Sequence, residues 1–223
     1  MNFKAIIFDL DGTLLDTLQD LALSVNAVLR EKGLAEHSID AYRYFVGDGI
    51  EQLVLRAFPA GSEHLDQLPL LVDQVKAEYR RRWADHTRPY PGIAELLDFL
   101  EGRKIPKAIL TNKPQEFALV TVNTLLSGWT FKPVLGVSSS IFPKPDPQGA
   151  LQVAGLLKQK PGDLLYLGDT DTDMKTAKAA GMFPVGALWG FRPAEELKKA
   201  GAVILVESPL ELRKYFGGDC DGG

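Results

Sequence analysis

The sequence predicts an α/β fold, a parallel sheet flanked by helices, with a helical domain inserted near its start. Three observations predict it. Short continuous apolar runs recur along the chain, helix-period stretches separate them, and one long segment after the first run carries helical stripes and no strand pattern. The first run is Ala5-Ile6-Ile7-Phe8, ended by Asp9 and Gly12. An unbroken apolar run of this length suits a strand buried on both faces of a parallel sheet.

Residues 16 to 86 then break the rhythm. Leu18, Leu21, Val25, Val28 and Leu29 form one helical stripe, closed by Gly33, and Leu68, Leu71, Val72, Val75, Tyr79 and Trp83 form another. Gly47, Gly49, Pro59, Gly61 and Pro69 mark the loops. A helical stretch of roughly 70 residues is too long for a loop, so residues 17–86 read as a separate small helical domain. Its hinges fall near Leu15–Leu18 and Arg88–Gly92. Residues 1–16 and 87–223 form the discontinuous α/β domain, with 217–223 a flexible tail.

Beyond the second hinge, Ile93, Leu96, Leu97 and Leu100 recur at helical spacing and Gly102 stops the helix. Strand Ala108-Ile109-Leu110 follows, then a helix from Pro114 to Leu126, strand Val134-Leu135-Gly136-Val137 and a helix from Pro147 to Leu157. Strand Leu164-Leu165-Tyr166-Leu167 precedes a helix from Thr172 to Ala180, closed by Gly181. Phe183 to Leu188 is a weaker strand candidate, and Val203-Ile204-Leu205-Val206 is the last. This alternation implies right-handed crossovers and a Rossmann-like sheet, which binds ligands at the carboxyl ends of its strands.

With 45% apolar and 24% charged residues, the 223-residue chain is of ordinary globular composition, which excludes disorder, collagen and coiled coil. A formal charge of −4 removes the attraction that nucleic acid or an anionic membrane would need. The basic run from Lys76 to Arg82 is broken by Glu78 and reads as a solvated helix face. No run approaches the ~18 apolar residues of a membrane span. Asp9 comes too early for a signal peptide, and the lone Cys220 permits no internal disulfide, so a reducing cytoplasm is expected.

Asp9 and Asp11 stand where the first strand ends, two apart, and Gly12 lets the chain turn at once. Gly168-Asp169-Thr170-Asp171-Thr172-Asp173 follows the Leu164–Leu167 strand in the same manner. Thr172 is placed to cap the next helix, with Asp173 in its first turn. If the two strands are neighbours, three or four carboxylates converge. Two such charges about 4 Å apart repel by ~4 kcal/mol at an effective dielectric of 20. A hard divalent cation with oxygen ligands, Mg²⁺, relieves this. Taken singly, each aspartate is equally readable as a loop or cap residue; two acidic groups at two strand ends argue otherwise. Asp171 reads as an exposed spacer.

Competing motifs fail. A calcium loop starting at Asp169 has Met174 where glycine is needed and Ala180 where glutamate is needed. Gly47-Asp48-Gly49 lacks the third glycine of a dinucleotide fingerprint. His37, His64 and His86 are scattered over the helical segment and read as surface residues.

Phe8-Asp9-Leu10-Asp11-Gly12-Thr13-Leu14 resembles the first signature of the haloacid dehalogenase superfamily of phosphohydrolases. Leu110-Thr111-Asn112-Lys113 is similar to the second, Lys144-Pro145-Asp146-Pro147 to the third, and Gly168-Asp169 with Asp173 to the fourth. The likeness extends over nearly the whole chain. The helical insertion matches the subgroup with a helical cap. Within it, Tyr44-Phe45-Val46-Gly47-Asp48-Gly49, Tyr90-Pro91-Gly92 and Thr111-Asn112-Lys113-Pro114 most resemble phosphoglycolate phosphatases.

The resemblance implies a Mg²⁺-dependent phosphatase for a small soluble, phosphoglycolate-like phosphate monoester. Asp9 is then the nucleophile that forms an aspartyl-phosphate, Asp11 the general acid and base, and Lys144 the screen for the nucleophile's charge. Metal ligands are Asp9, the Asp11 backbone carbonyl, Asp169 and, directly or through a neighbour, Asp173. Thr111 and Asn112 hold the phosphoryl oxygens, with Gly12, Thr13, Lys113, Tyr44 and Gly47 completing the substrate site. A carboxylated substrate such as phosphoglycolate needs a cation, for which Arg43, Arg56, Arg88 and Lys113 are all candidates. A phosphosugar mutase and a catalytically idle phospho-ligand-binding regulator are the alternatives. The chain is expected to act as a monomer or homodimer.

Overall fold

The structure, a computed structural model, describes residues 2–61 and 66–217. His64, Cys220 and all but the first residue of the expected tail at 217–223 lie outside the described residues. Six strands form one sheet: β1 (Ala5–Phe8), β4 (Lys107–Pro114), β5 (Val134–Val137), β6 (Leu164–Gly168), β7 (Phe183–Ala187) and β8 (Ile204–Val206), in the order β5-β4-β1-β6-β7-β8. All neighbours pair in parallel. β1 shows why its apolar run is unbroken. Ile6 and Phe8 pack with Ile93, Leu97 and Leu165 on one face, whereas Ala5 and Ile7 pack with Ala150, Val153 and Tyr166 on the other. Both faces are covered, so no polar residue fits.

Between the strands run α5 (Ile93–Gly102), α6 (Gln115–Leu125), α7 (Gln148–Leu157), α8 (Asp171–Ala179) and α9 (Ala194–Ala200). In register, Phe8 of β1 faces Ile109 of β4 and Leu167 of β6. The residues just past these three positions therefore share the carboxyl edge of the sheet.

The helical segment holds α1 (Leu18–Glu31), α2 (Tyr42–Phe45), α3 (Ile50–Ala57) and α4 (Leu68–Arg82). The α1 and α4 stripes meet in one apolar cluster, joined by Leu53 and Val54 of α3 and by Phe117 and Phe191 from the α/β part. At its base β2 (Leu15–Asp16) pairs antiparallel with β3 (Arg88–Pro89), so the chain leaves and re-enters the sheet layer side by side. No helix among the described residues is long and apolar enough to cross a membrane.

Two expectations need correction. The side chain that caps α8 is Thr170, not Thr172: α8 begins at Asp171, one residue before the expected start. And β4 runs on to Pro114, past the apolar Ala108–Leu110, with a register irregularity against β5 between Leu110 and Pro114. Its polar extension carries Thr111, Asn112 and Lys113, all buried, beyond the sheet edge.

Candidate active site

Asp9 follows β1 and Asp169 follows β6, so the parallel pairing of the two strands brings the segments that carry these carboxylates together. Asp173 is brought to them by the start of α8. Its backbone N–H donates to Thr170 Oγ1 at 3.3 Å, while Thr170 donates from its amide (3.0 Å) and hydroxyl (2.7 Å) to Asp173 Oδ2. This reciprocal capping box fixes the Asp173 rotamer. Asp9, Asp169 and Asp173 are all buried, with carboxylate oxygens within 4.8 Å of one another. Three of the expected carboxylates thus converge.

Lys144 Nζ sits between them, 2.8 Å from Asp9 Oδ1 and 2.6 Å from Asp173 Oδ1. It arrives on a loop locked by Asn112, whose Oδ1 accepts from the Lys144 amide at 2.7 Å and whose Nδ2 donates to the Lys144 carbonyl at 3.1 Å. Asn112 Nδ2 also donates to the Gly47 carbonyl of the helical segment at 3.0 Å. Asp169 is held by Thr13 Oγ1 (2.7 Å) and the Phe191 amide (2.8 Å).

Burial, then the charge of Asp173, pushes the Asp9 carboxyl up to about 7. Asp169 is raised well above the usual carboxylate range, first by burial and then by Asp173 and Asp9. Burial opposes charge on Lys144 as well, but Asp173 and Asp9 outweigh it and hold the ammonium well above its ordinary value. With all three carboxyls ionised, the one ammonium would leave two negative charges uncompensated. The donors are all oxygens, and glycines leave room beside them: a Cβ on Gly12 or Gly190 would overlap the Asp169 carboxylate. The residues present fit a hard divalent cation such as Mg²⁺.

Asp11 stands apart from that group. Its Oδ1 and Oδ2 lie 2.9 and 3.2 Å from Lys113 Nζ, which also donates to the Tyr79 hydroxyl of α4 at 2.8 Å. Burial disfavours the Lys113 charge, yet Asp11 and Tyr79 outweigh this and raise its pKa. A cleft opens between the sheet edge and the helices. Asp9, Asp11, Thr111, Asn112 and Lys113 line its floor; Leu21, Val46, Gly47, Ile50, Leu53, Tyr79 and Phe117 are among its other lining residues.

Gly12, with φ +89°, turns the chain after Asp11, and Gly47 is among the residues that line the cleft. Two expected substrate contacts lie elsewhere. The Thr13 hydroxyl is spent on Asp169, away from the cleft lining. Tyr44 is 54% exposed, because α2 buries Tyr42 instead, and its ring lies on the outside against the Arg192 guanidinium at 5.1 Å. Asp171 is half-buried and paired with Lys175. His37 and His86 are only partly exposed; the ring of each bonds a neighbour, the Ala57 carbonyl and Asp20 respectively.

Sequence reasoning missed Thr170, Phe191 and Arg192. Arg192 donates to the Arg43 and Val46 carbonyls, the latter at 3.0 Å, and so ties the α/β part to the helical segment. Thr172, expected as a cap, instead donates to Asp48 Oδ1 across the same junction at 2.6 Å. A threonine three residues before an aspartate was a visible capping-box signal; nothing marked Arg192.

Fold and site together define a class of α/β protein with a buried acidic centre at the carboxyl edge of a parallel sheet. The haloacid dehalogenase-like hydrolase family matches over residues 6–187, and the chain belongs to it. It is 31% identical over 221 residues to a protein of Pseudomonas putida named phosphoglycolate phosphatase, covering 98% of this chain and 80% of that one. A protein of the same name from Nitrosospira multiformis is 32% identical, covering 96% of this chain and 95% of its own length. A solved structure described as a predicted phosphoglycolate phosphatase from Haemophilus somnus superposes with a TM-score of 0.89 at 26% identity, covering 97% of this chain and 99% of that one.

Proposed function

We propose that the protein is a Mg²⁺-dependent phosphatase that hydrolyses a small phosphate monoester through an aspartyl-phosphate on Asp9. The observation that carries this reading is Lys144 Nζ held between Asp9 and Asp173 beside a third buried carboxylate, Asp169. Residues 17–86 act as a cap domain over a core of residues 1–16 and 87–223. A lid of this kind admits small esters and excludes polymers. The names of the relatives agree with a substrate of that size. The lone cysteine and net acidity fit a reducing cytoplasm.

Asp9 Oδ attacks phosphorus in line with the ester oxygen, so that one displacement becomes two easier ones. Asp11, oriented by Lys113, protonates the departing oxygen and later takes a proton from the water that splits the acyl phosphate. Lys144 lowers the repulsion between the nucleophile and the phosphoryl oxygens, an effect strongest where charge is most spread. Thr111 Oγ1 and the Asn112 amide, on the cleft floor, hold those oxygens. Asp9, Asp169, Asp173 and the Asp11 backbone carbonyl would hold Mg²⁺, which supplies positive charge opposite the phosphoryl group when bound.

The test uses p-nitrophenyl phosphate. Asp9→Asn should cut turnover by at least about a thousandfold with an unchanged circular dichroism spectrum, and EDTA should stop the wild-type reaction until Mg²⁺ is returned. Appreciable turnover by the variant would remove the covalent step, and indifference to EDTA would remove the metal.

A further inference from the structure

We propose that Tyr79 of the helical segment is a positioning residue for the acid: its hydroxyl fixes the Lys113 ammonium and, through it, the Asp11 carboxyl. Asp11 is then fully ordered only when the helical segment is seated on the sheet edge. The inference rests on the phosphatase reading and adds a residue to its proton transfer. Asp11 follows β1, Lys113 lies on the polar extension of β4, and Tyr79 stands in the last turn of α4. Three elements distant in sequence thus meet at one nitrogen. An ammonium carries three N–H donors on a flexible stem. Its acceptors here are Asp11 Oδ1 at 2.9 Å, Asp11 Oδ2 at 3.2 Å and the Tyr79 hydroxyl at 2.8 Å.

The Lys113 side chain is 3% exposed, so water does not easily replace a lost acceptor. Tyr79 is itself held. The residue is buried, and its ring packs edge-on against Phe117 of α6, centroids 5.2 Å apart, in the apolar cluster that joins the helices to the α/β part. Among the described residues, it is the one side chain of the helical segment bonded to the Lys113–Asp11 pair. Burial raises the phenol above its ordinary value, so it stays neutral and orients the ammonium without competing with Asp11 for its charge. With the hydroxyl gone, the third N–H turns towards another acceptor and Asp11 turns with it. Proton transfer then suffers. As Asp9 Oδ bonds to phosphorus and the ester P–O bond breaks, the ester oxygen takes the Asp11 proton and departs as an alcohol.

The experiment compares kcat/KM of wild type and Tyr79→Phe, with Mg²⁺ present, on p-nitrophenyl phosphate, 2-hydroxyethyl phosphate and 2-phosphoglycolate. This parameter covers the steps up to the aspartyl-phosphate. p-Nitrophenolate leaves as an anion with little help, whereas both alkyl oxygens need the proton. The variant should lose about tenfold on each alkyl ester and under about twofold on p-nitrophenyl phosphate. All esters are assayed on one preparation, so a smaller folded fraction cancels in the ratio. In a Lys113→Met background, Tyr79→Phe should move that ratio by under about twofold, because its effect runs through the ammonium. A full drop there would place the hydroxyl on another route and overturn the inference. So would equal losses on all three esters or none, a loss confined to 2-phosphoglycolate, or a variant with no folded protein, in which the hydroxyl is merely structural. A wild type active on p-nitrophenyl phosphate alone would have no working acid to position, and the inference falls while the phosphatase reading stands. Failure of wild type on every ester would overturn the phosphatase reading itself.

Discussion

Lys144 carries the charge balance of the site. The residue is 4% exposed, and its ammonium neighbours two of three buried carboxylates. Lys144→Met keeps most of the side-chain volume and deletes the charge, leaving Asp9, Asp169 and Asp173 with no cation beside them. Removing one partner from a buried ionic group costs about 3–5 kcal/mol. The metal-free variant should therefore show that loss in urea unfolding at neutral pH, and Mg²⁺ should raise its midpoint more than that of wild type; a midpoint equal to wild type would show that Lys144 does not balance this charge. The residues of this group were legible because each follows a buried strand or sits in a short, distinctive signature. Arg192 was not, since its partners are the Arg43 and Val46 carbonyls, and a backbone acceptor leaves no mark on sequence. Tyr44 misled for the opposite reason: a residue beside a glycine-rich loop need not face the way the loop does.

Among the elements, the junction of α1 with the ribbon β2–β3 depends on one buried acid. Asp20, in the first turn of α1, is fully buried and accepts from the amides of His86 (3.0 Å) and Thr87 (2.9 Å), the Thr87 hydroxyl (2.7 Å) and His86 Nδ1 (2.8 Å). Burial works against its charge, but the bonds from Thr87 and His86 prevail and hold its pKa below the usual carboxylate range. Asp20→Ala strands these donors and should cost about 2–4 kcal/mol at pH 7. A depressed folded pKa means stability that is present above the unfolded value and lost as pH falls through the folded one. The gap in urea midpoint between wild type and variant should shrink below pH 4; a gap constant from pH 7 to pH 3 would count against an ionised Asp20. The sheet strands were legible because burial on both faces forbids polar residues. β2 and β3 have two residues each, and α2 only four, too few for either period to show. Asp20 was passed over within a stripe of leucines, although a polar residue there signals a partner reaching in.

For the molecule as a whole, the acidic centre sets the pairing of the strands against the repulsion of the carboxylates they carry. Parallel register drives Asp9 and Asp169 together whether or not a cation is bound, because the pairing of β1 with β6 is secured by Ile6, Phe8, Leu165 and Leu167 in the main apolar cluster. Without a cation the folded state relieves the repulsion by taking up protons, which is why burial and Asp173 lift Asp9 to about 7 and Asp169 is lifted too. A carboxyl raised in the folded state favours folding fully below its unfolded pKa of about 3.9, and that advantage fades as pH rises towards 7. A bound divalent cation replaces those protons and competes with them, so its affinity grows as they leave. Stabilisation by ligand follows the ratio of its concentration to its dissociation constant. The rise in melting temperature on adding millimolar Mg²⁺ should therefore be small at pH 5 and substantially larger at pH 8, with Asp169→Asn abolishing most of the difference. A rise of equal size at both pH values would mean that the ion binds away from the buried carboxylates, since exposed aspartates are already ionised at pH 5.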